Sequence, residues 1–159
     1  MATRSFETAE TFHPPVVRQI SIFLEDRVGA LLRLFRCFEG TDVKVVGMSV
    51  VHAIDCAIIR LICDHNDKAI EVLKAEQFPL TTSELVVVEV PHGHGLMSIL
   101  SALLVGEVNI DYAYPLLARP TGRAAIAIHT QDLETAIGVL RSRKFAVLSE
   151  DDLGEGGVR

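Results

Sequence analysis

The stretch Gln19-Ile20-Ser21-Ile22-Phe23-Leu24-Glu25-Asp26-Arg27-Val28-Gly29-Ala30-Leu31 decides the fold, because its order of events occurs twice in the chain. An apolar strand runs into a charged turn ending in Gly29, and a helix follows with Leu31, Leu32, Leu34, Phe35 and Phe38 as its apolar stripe. Further on, Leu85-Val86-Val87-Val88-Glu89-Val90 runs into Pro91-His92-Gly93-His94-Gly95, and Leu96, Met97, Ile99, Leu100, Leu103 and Leu104 form a second stripe. The offset is roughly 65 residues, longer than solenoid repeats and close to the size of a small α+β domain. Two copies of one domain are expected.

Each copy continues in the same order. After the first helix come a strand over 43–51, a turn at His52-Ala53-Ile54-Asp55 and a strand over 56–63. A helix over 67–76 follows, with Asn66 or Asp67 as its N-cap. Gln77 to Thr82 reads as a short strand that Pro79 confines to a sheet edge. The second copy gives a strand over 108–117, a turn at Pro120-Thr121-Gly122, a strand over 123–129, a helix over 131–141 and a strand over 145–148. Each copy is therefore β-α-β-β-α-β, the ferredoxin-like order with an antiparallel sheet and two helices on one face. The expected divisions are an arm over 1–15, a first unit over 16–83, a second over 84–149 and a frayed acidic tail over 150–159. Pairing the copies side by side into one larger sheet would protect two edges at once.

Composition limits the function. The 159 residues are 49 % hydrophobic and 23 % charged, as in a globular protein. A net charge of -6 without a basic cluster argues against nucleic acid or an anionic membrane as partner. No apolar run approaches the roughly 20 residues of a membrane span, and the N-terminus lacks the apolar core of a signal peptide. Cys37, Cys56 and Cys63 are odd in number, form no CxxC pair and lie in apolar patterns, which suits free buried thiols in a cytoplasmic protein.

The turn Asp26-Arg27-Val28-Gly29-Ala30-Leu31, with Val43-Lys44-Val45 after the helix, resembles the start of an ACT domain, a small regulatory module that binds amino acids. The second copy resembles it less at the turn, where His92 stands for the acid and His94 precedes Gly95. Its Val108-Asn109-Ile110 fits the following strand well. The likeness covers about residues 17 to 149 and implies a stand-alone tandem ACT protein. It implies allosteric regulation, with an amino acid held between two ACT units and a target enzyme as further partner. It implies no enzyme activity, no cofactor and a homodimer. The binding residues it implies are Asp26, Arg27, Val28, Gly29 and Ala30 in one copy, and His92, Gly93, His94, Gly95 and Leu96 in the other. The physical sense is that Gly admits a ligand close to the backbone, while free N–H groups at a helix start receive its carboxylate. The first half also resembles the small subunit of acetohydroxyacid synthase, which gives the alternative of a regulatory subunit held permanently to an enzyme.

Blander readings stand beside these. Asp26-Arg27 is also a plain solvated turn with Asp26 as helix N-cap. His92 and His94 are two ligands without a third, too few for a metal site. Gly93 and Gly95 lack the third Gly and the parallel βαβ unit of a dinucleotide site. Tyr112 and Tyr114 share one face of a strand and suit packing between the copies. Arg60 interrupts an apolar strand and marks a solvated face or a partner contact. No Ser-His-Asp, Cys-His or paired-carboxylate set for catalysis is visible.

Overall fold

The computed structural model describes residues 14–154. The first unit contains β1 (Val17–Glu25), α1 (Ala30–Arg36), β2 (Val45–His52), β3 (Cys56–Cys63), α2 (Asn66–Ala75) and the first half of β4 (Leu80–Glu89). The second half of β4 opens the second unit, followed by α3 (Gly95–Val105), β5 (Tyr112–Pro115), β6 (Ala125–His129), α4 (Leu133–Ser142) and β7 (Val147–Leu148). A short helix, α5 (Glu150–Gly154), ends the described chain. The arm expected over 1–15 lies outside the described residues except for Pro14 and Pro15. None of the described helices is long and apolar enough to cross a membrane.

The strands form one antiparallel sheet in the order β2-β3-β1-β4-β6-β5, with β7 also on β4. β4 is common to both units. Its residues 80–85 pair with β1, and its residues 86–89 pair with β6. Gln77 to Thr82 and Leu85 to Val90 are therefore parts of one continuous central element, not an edge strand and a separate strand. The expected boundary between residues 83 and 84 falls inside it. Pro79 permits this because it precedes β4: it offers only its carbonyl, which accepts from Phe23 N–H at 3.0 Å.

The duplication is written into the backbone. Left-handed residues recur at matching places: Gly29 and Gly93 before the first helix of each unit, Gly40 and Glu107 after it, Gln77 and Lys144 after the second. The second helices close alike, Phe78 N–H donating to Leu73 C=O and Phe145 N–H to Leu140 C=O, both at 3.0 Å. Gly29 thus corresponds to Gly93, whereas the sequence comparison had set it against Gly95.

Alternation along the strands separates two faces. Ile20, Ile22 and Leu24 of β1 pack beneath α1 and α2, and Val86 and Val88 of β4 beneath α3 and α4. Val17, Leu85, Val87, Val46, Ile62, Tyr114, Ala125, Ala127 and Leu148 gather on the helix-free face. That face shields itself, because the sheet curls until Gly47 of β2 bridges Leu116 beyond β5. A Cβ on Gly47 would sit 2.8 Å from a Leu116 methyl, so the close approach needs glycine. Leu117 and Ala118 N–H groups add bonds to Val46 C=O.

Within this enclosure lies a satisfied polar cluster. Gln19 is fully buried; it donates to the Tyr112 hydroxyl at 2.7 Å and accepts from the Tyr114 hydroxyl at 2.6 Å. Arg60 lies 3.9 Å over the Tyr112 ring, and His129 stacks on that ring at 4.7 Å. The expected shared face of the two tyrosines is this contact between units.

Several expected elements shift. Only 112–115 of the expected strand over 108–117 pairs regularly. The residue before α2 is His65, without a side-chain cap. The Asn66 amide instead accepts from Cys63 N–H and donates to Glu150. Part of the expected frayed tail is α5: Glu150 accepts from Arg18 N–H and its guanidinium, and Leu153 is buried. Residues 155–159 lie outside the described residues. Of the cysteines only Cys63 is buried, and burial pushes its thiol up to about 12.

Candidate functional site

Both turns follow a strand that ends in glutamate, Glu25 or Glu89, and both pass through a left-handed glycine into a helix. The first is open. Asp26, Arg27, Val28 and Gly29 are exposed, and Val28 reaches fully into solvent. Arg27 N–H donates to Glu25 C=O at 2.9 Å and Ala30 N–H to Arg27 C=O at 3.2 Å, so the backbone closes a compact loop ahead of α1. Asp26 does not cap that helix; its N-cap position is Gly29, with φ 84°, and no side chain caps it. The Asp26 carboxylate turns instead to His52 at the end of β2, 3.4 Å away.

A cleft of about 210 Å³ opens beside this turn, lined by Phe23, Leu24, Glu25, Arg27, Ala30, Arg33, Gln77, Phe78 and Pro79. Of the first-turn candidates only Arg27 and Ala30 reach it. The remaining walls come from β1, from one turn further along α1 and from the α2–β4 connection. Arg27 pairs with Glu25 at 3.3 Å, and the Arg33 guanidinium lies 5.3 Å over the Phe78 ring. The cleft therefore offers two cations, one carboxylate, one amide and an apolar floor. Sequence reasoning missed Phe23, Glu25, Arg33, Gln77 and Phe78. One local signal was available: Phe78 follows a helix end at the left-handed Gln77, and such an end turns its next apolar residue back onto the helix.

The second turn is built differently. His92, Gly93, His94 and Leu96 are exposed, and Gly95 is buried as the first residue of α3. A Cβ on Gly95 would lie 2.8 Å from Pro91 Cδ, so this glycine serves packing rather than access. Two further clefts lie near the second unit, one between α3 and Phe145 and one between α4 and Val16. No second-turn candidate lines either. Among the described residues no cluster of three His, Cys, Asp or Glu side chains could hold a metal ion.

The two turns are not brought together. β1 runs antiparallel to β4, so the first turn projects past the Leu80 end of β4 and the second past its Glu89 end. Ten residues at about 3.3 Å each separate them by roughly 30 Å. One small ligand cannot touch both turns of the same chain.

The sequence pattern defining the family described as ACT domain pair matches residues 15–156. The chain belongs to that family. Among solved structures, this ACT pair is similar to a protein of Bacteroides thetaiotaomicron, with 27 % identity and a TM-score of 0.79 over 88 % of this chain and 96 % of the other. It shares its fold with the ligand-free regulatory subunit of aspartate kinase from Thermus thermophilus, at 13 % identity and a TM-score of 0.56, covering 82 % and 93 % of the two chains. The corresponding subunit from Thermus flavus gives 12 % identity and a TM-score of 0.52, again over 82 % and 93 %. No curated protein matches the chain.

Proposed function

We propose that this ACT pair is a regulatory protein, not an enzyme, that binds a free amino acid or a ligand bearing the same two charged groups. The observation that carries the reading is the first-turn cleft, where opposite charges meet beside an apolar floor. The ligand carboxylate would lie against Arg33 and Arg27, its ammonium against Glu25, and its side chain against Phe23 and Phe78. Ala30 lines the cleft, and Asp26, Val28 and Gly29 complete the bend that carries Arg27 and Ala30 to it. Glu25 takes the ammonium rather than Asp26, because the Asp26 carboxylate faces His52. His92, Gly93, His94, Gly95 and Leu96 form the corresponding turn of the other unit, and a ligand touching both kinds of turn needs a second copy of the chain. A homodimer is accordingly part of the proposal.

Binding regulates by linkage. A ligand favouring one arrangement of the protein, or of its complex with a target enzyme, shifts the population toward it. The likeness to the Thermus subunits is one of fold alone, so it does not favour a catalytic subunit held permanently, as the acetohydroxyacid synthase alternative would require.

Calorimetric titration with each of the twenty amino acids tests the reading. At least one should bind, and Arg33→Ala should weaken it at least about tenfold, equivalent to roughly 1.4 kcal/mol. Arg36→Ala, on the same helix but outside the cleft, should not. If no amino acid binds, or if Arg33→Ala binds as wild type does, the first-turn site is wrong.

A further inference from the structure

Helix α3, Gly-Leu-Met-Ser-Ile-Leu-Ser-Ala-Leu-Leu-Val over Gly95–Val105, contains no charged residue. One face is spent on the core through Gly95, Ile99, Ala102 and Leu103. On the other, Leu96, Met97, Leu100, Leu104 and Val105 stand 40–77 % exposed. Surface helices ordinarily turn charges to water, and a helix apolar all round is ordinarily buried. The rest of the molecule follows that rule: α1, the counterpart of α3, carries Arg33 and Arg36, while α2 and α4 carry Lys, Glu and Arg.

We propose that this face is the seam of a homodimer, with α3 packed against α3 of a second copy about a twofold axis near Leu100. The seam does not depend on the ligand: it sets the second turn of each copy beside the Leu104 end of the partner's α3, and it is a contact separate from one that would bring a first turn to a second. Two features single out a second copy as the occupant. The first is that knob and hole lie on one helix. Leu104 is the most exposed side chain of the row, at 77 %. One helix turn to the other side of Leu100, a cleft of about 510 Å³ is lined by Met97, Ser98, Ser101, Arg143 and Phe145. When two α3 helices cross antiparallel at Leu100, position 104 of each lies over positions 96–97 of the other. Each Leu104 then enters the partner's cleft, the self-complementarity an isologous contact demands. Leu96, Leu100 and Leu104 form one i±4 ridge, and two such ridges interdigitate at about 50° between axes. The second feature is charge. α3 itself carries none, and Arg143 stands at the far wall of the cleft, so most of the face offers a charged partner nothing, whereas an identical apolar row matches it.

Each copy carries a net charge of -6, so association through a largely apolar seam is opposed by long-range repulsion. Salt screens that repulsion. The dimer should therefore tighten as salt is added, the reverse of a contact steered by opposite charges.

Sedimentation equilibrium of the full chain between about 1 and 100 µM tests the proposal. The expected species is a dimer of the 17.4 kDa chain, tighter in about 0.5 M than in about 0.1 M sodium chloride. Leu100→Glu/Leu104→Glu should raise the dissociation constant at least about a hundredfold, and Leu104→Gln alone about tenfold. Leu32→Glu, an equally apolar exposed site on α1, should leave the dimer intact. Circular dichroism melts of the variants establish that they are folded; should the double variant unfold, Leu104→Gln decides. A wild type that stays monomeric at the highest concentration overturns the proposal. So does a folded Leu104→Gln variant with the wild-type constant, or a dimer lost in Leu32→Glu and kept in the α3 variants.

Discussion

Gly29 and Gly95 stand at equivalent-looking places in the sequence, yet they are glycine for different reasons. Gly29 has φ 84°, and a Cβ there would meet nothing within 4 Å. Its requirement is conformational, so Gly29→Ala should cost about 1–2 kcal/mol through left-handed strain. Gly29→Asn should recover most of that, because Asn tolerates this region. Gly95 has no such φ but faces Pro91 at 2.8 Å and Val90 at 3.3 Å. Gly95→Ala should cost about 1–3 kcal/mol by overpacking, and Gly95→Asn should be no better. Urea midpoints of the four variants check the contrast; equal behaviour of Asn at both sites would refute it. Gly93, the counterpart of Gly29, is left-handed with open space around it as well, so the two turns share one kind of bend and Gly95 is an additional glycine required by packing. The sequence made the turns legible as Gly-containing junctions, but which glycine is left-handed depends on where the strand ends, and alternation alone leaves that uncertain by a residue or two.

At the scale of elements, helices and strands could be read because their apolar periods differ, and the βαββαβ order followed. Two elements could not. β4 was hidden because Pro79 and Thr81-Thr82-Ser83-Glu84 look like a break, although polar residues suit a stretch whose neighbour ends nearby. α5 was hidden because Glu150-Asp151-Asp152 looks like a solvated tail. What orders α5 is distant in sequence: Glu150 meets Arg18 and Asn66, and Leu153 fills the second unit's end of the enclosure. The cleft was only half legible for the same reason, since Arg33 and Phe78 converge on Arg27 through packing and not through spacing. Leu153→Ala should cost about 2–4 kcal/mol, as for other buried leucines. Burial pushes the Glu150 carboxyl up, but the bonds from the Arg18 side chain and backbone, its charge, and the Asn66 amide together hold it below the usual range. A folded-state value below the unfolded one gives stability that is complete above about pH 5 and is lost as pH falls through the folded value. Glu150→Gln should therefore cost about 1 kcal/mol at pH 7 and progressively less below pH 4. A wild-type-to-variant difference that is flat from pH 7 to 3 would exclude the contact as a contributor.

The alkaline side belongs to the whole molecule, because the groups that titrate there lie on both faces of the sheet, Cys63 beneath the helices of the first unit and Tyr114 in the enclosure on the other side. Burial pushes the Tyr114 hydroxyl above its ordinary range, and the Cys63 thiol moves to about 12 for the same reason. Both are neutral acids whose folded values are raised, so the stability they confer is complete below the unfolded values and is lost as pH rises through the folded ones. Stability should fall from about pH 9, first through Cys63 and then through Tyr114. Cys63→Ala should flatten the fall between about pH 9 and 11 despite lowering stability at neutral pH. A denaturant midpoint with the wild-type slope across that window would show that Cys63 is not the cause.

That enclosure also determines whether the ACT pair has one stability or two. Units joined by a linker could unfold separately. Here β4 pairs with β1 in one half and with β6 in the other, Gln19 of the first unit binds Tyr112 and Tyr114 of the second, and Glu150 ties the last helix to β1. Separating the units would strip one side of β4, leave Gln19 and Tyr114 buried without partners or newly wet, and expose the apolar lining of the helix-free face. Each cost is a few kcal/mol, comparable to a small domain's whole stability. The chain should unfold in one transition, with calorimetric and van't Hoff enthalpies equal and with tyrosine fluorescence and far-ultraviolet circular dichroism coincident. A fragment ending at Ser83 should not melt cooperatively, since it lacks the second unit that covers Val17, Gln19 and Ile62. Two resolved transitions, or a cooperative melt of that fragment, would show that the shared strand does not couple the units.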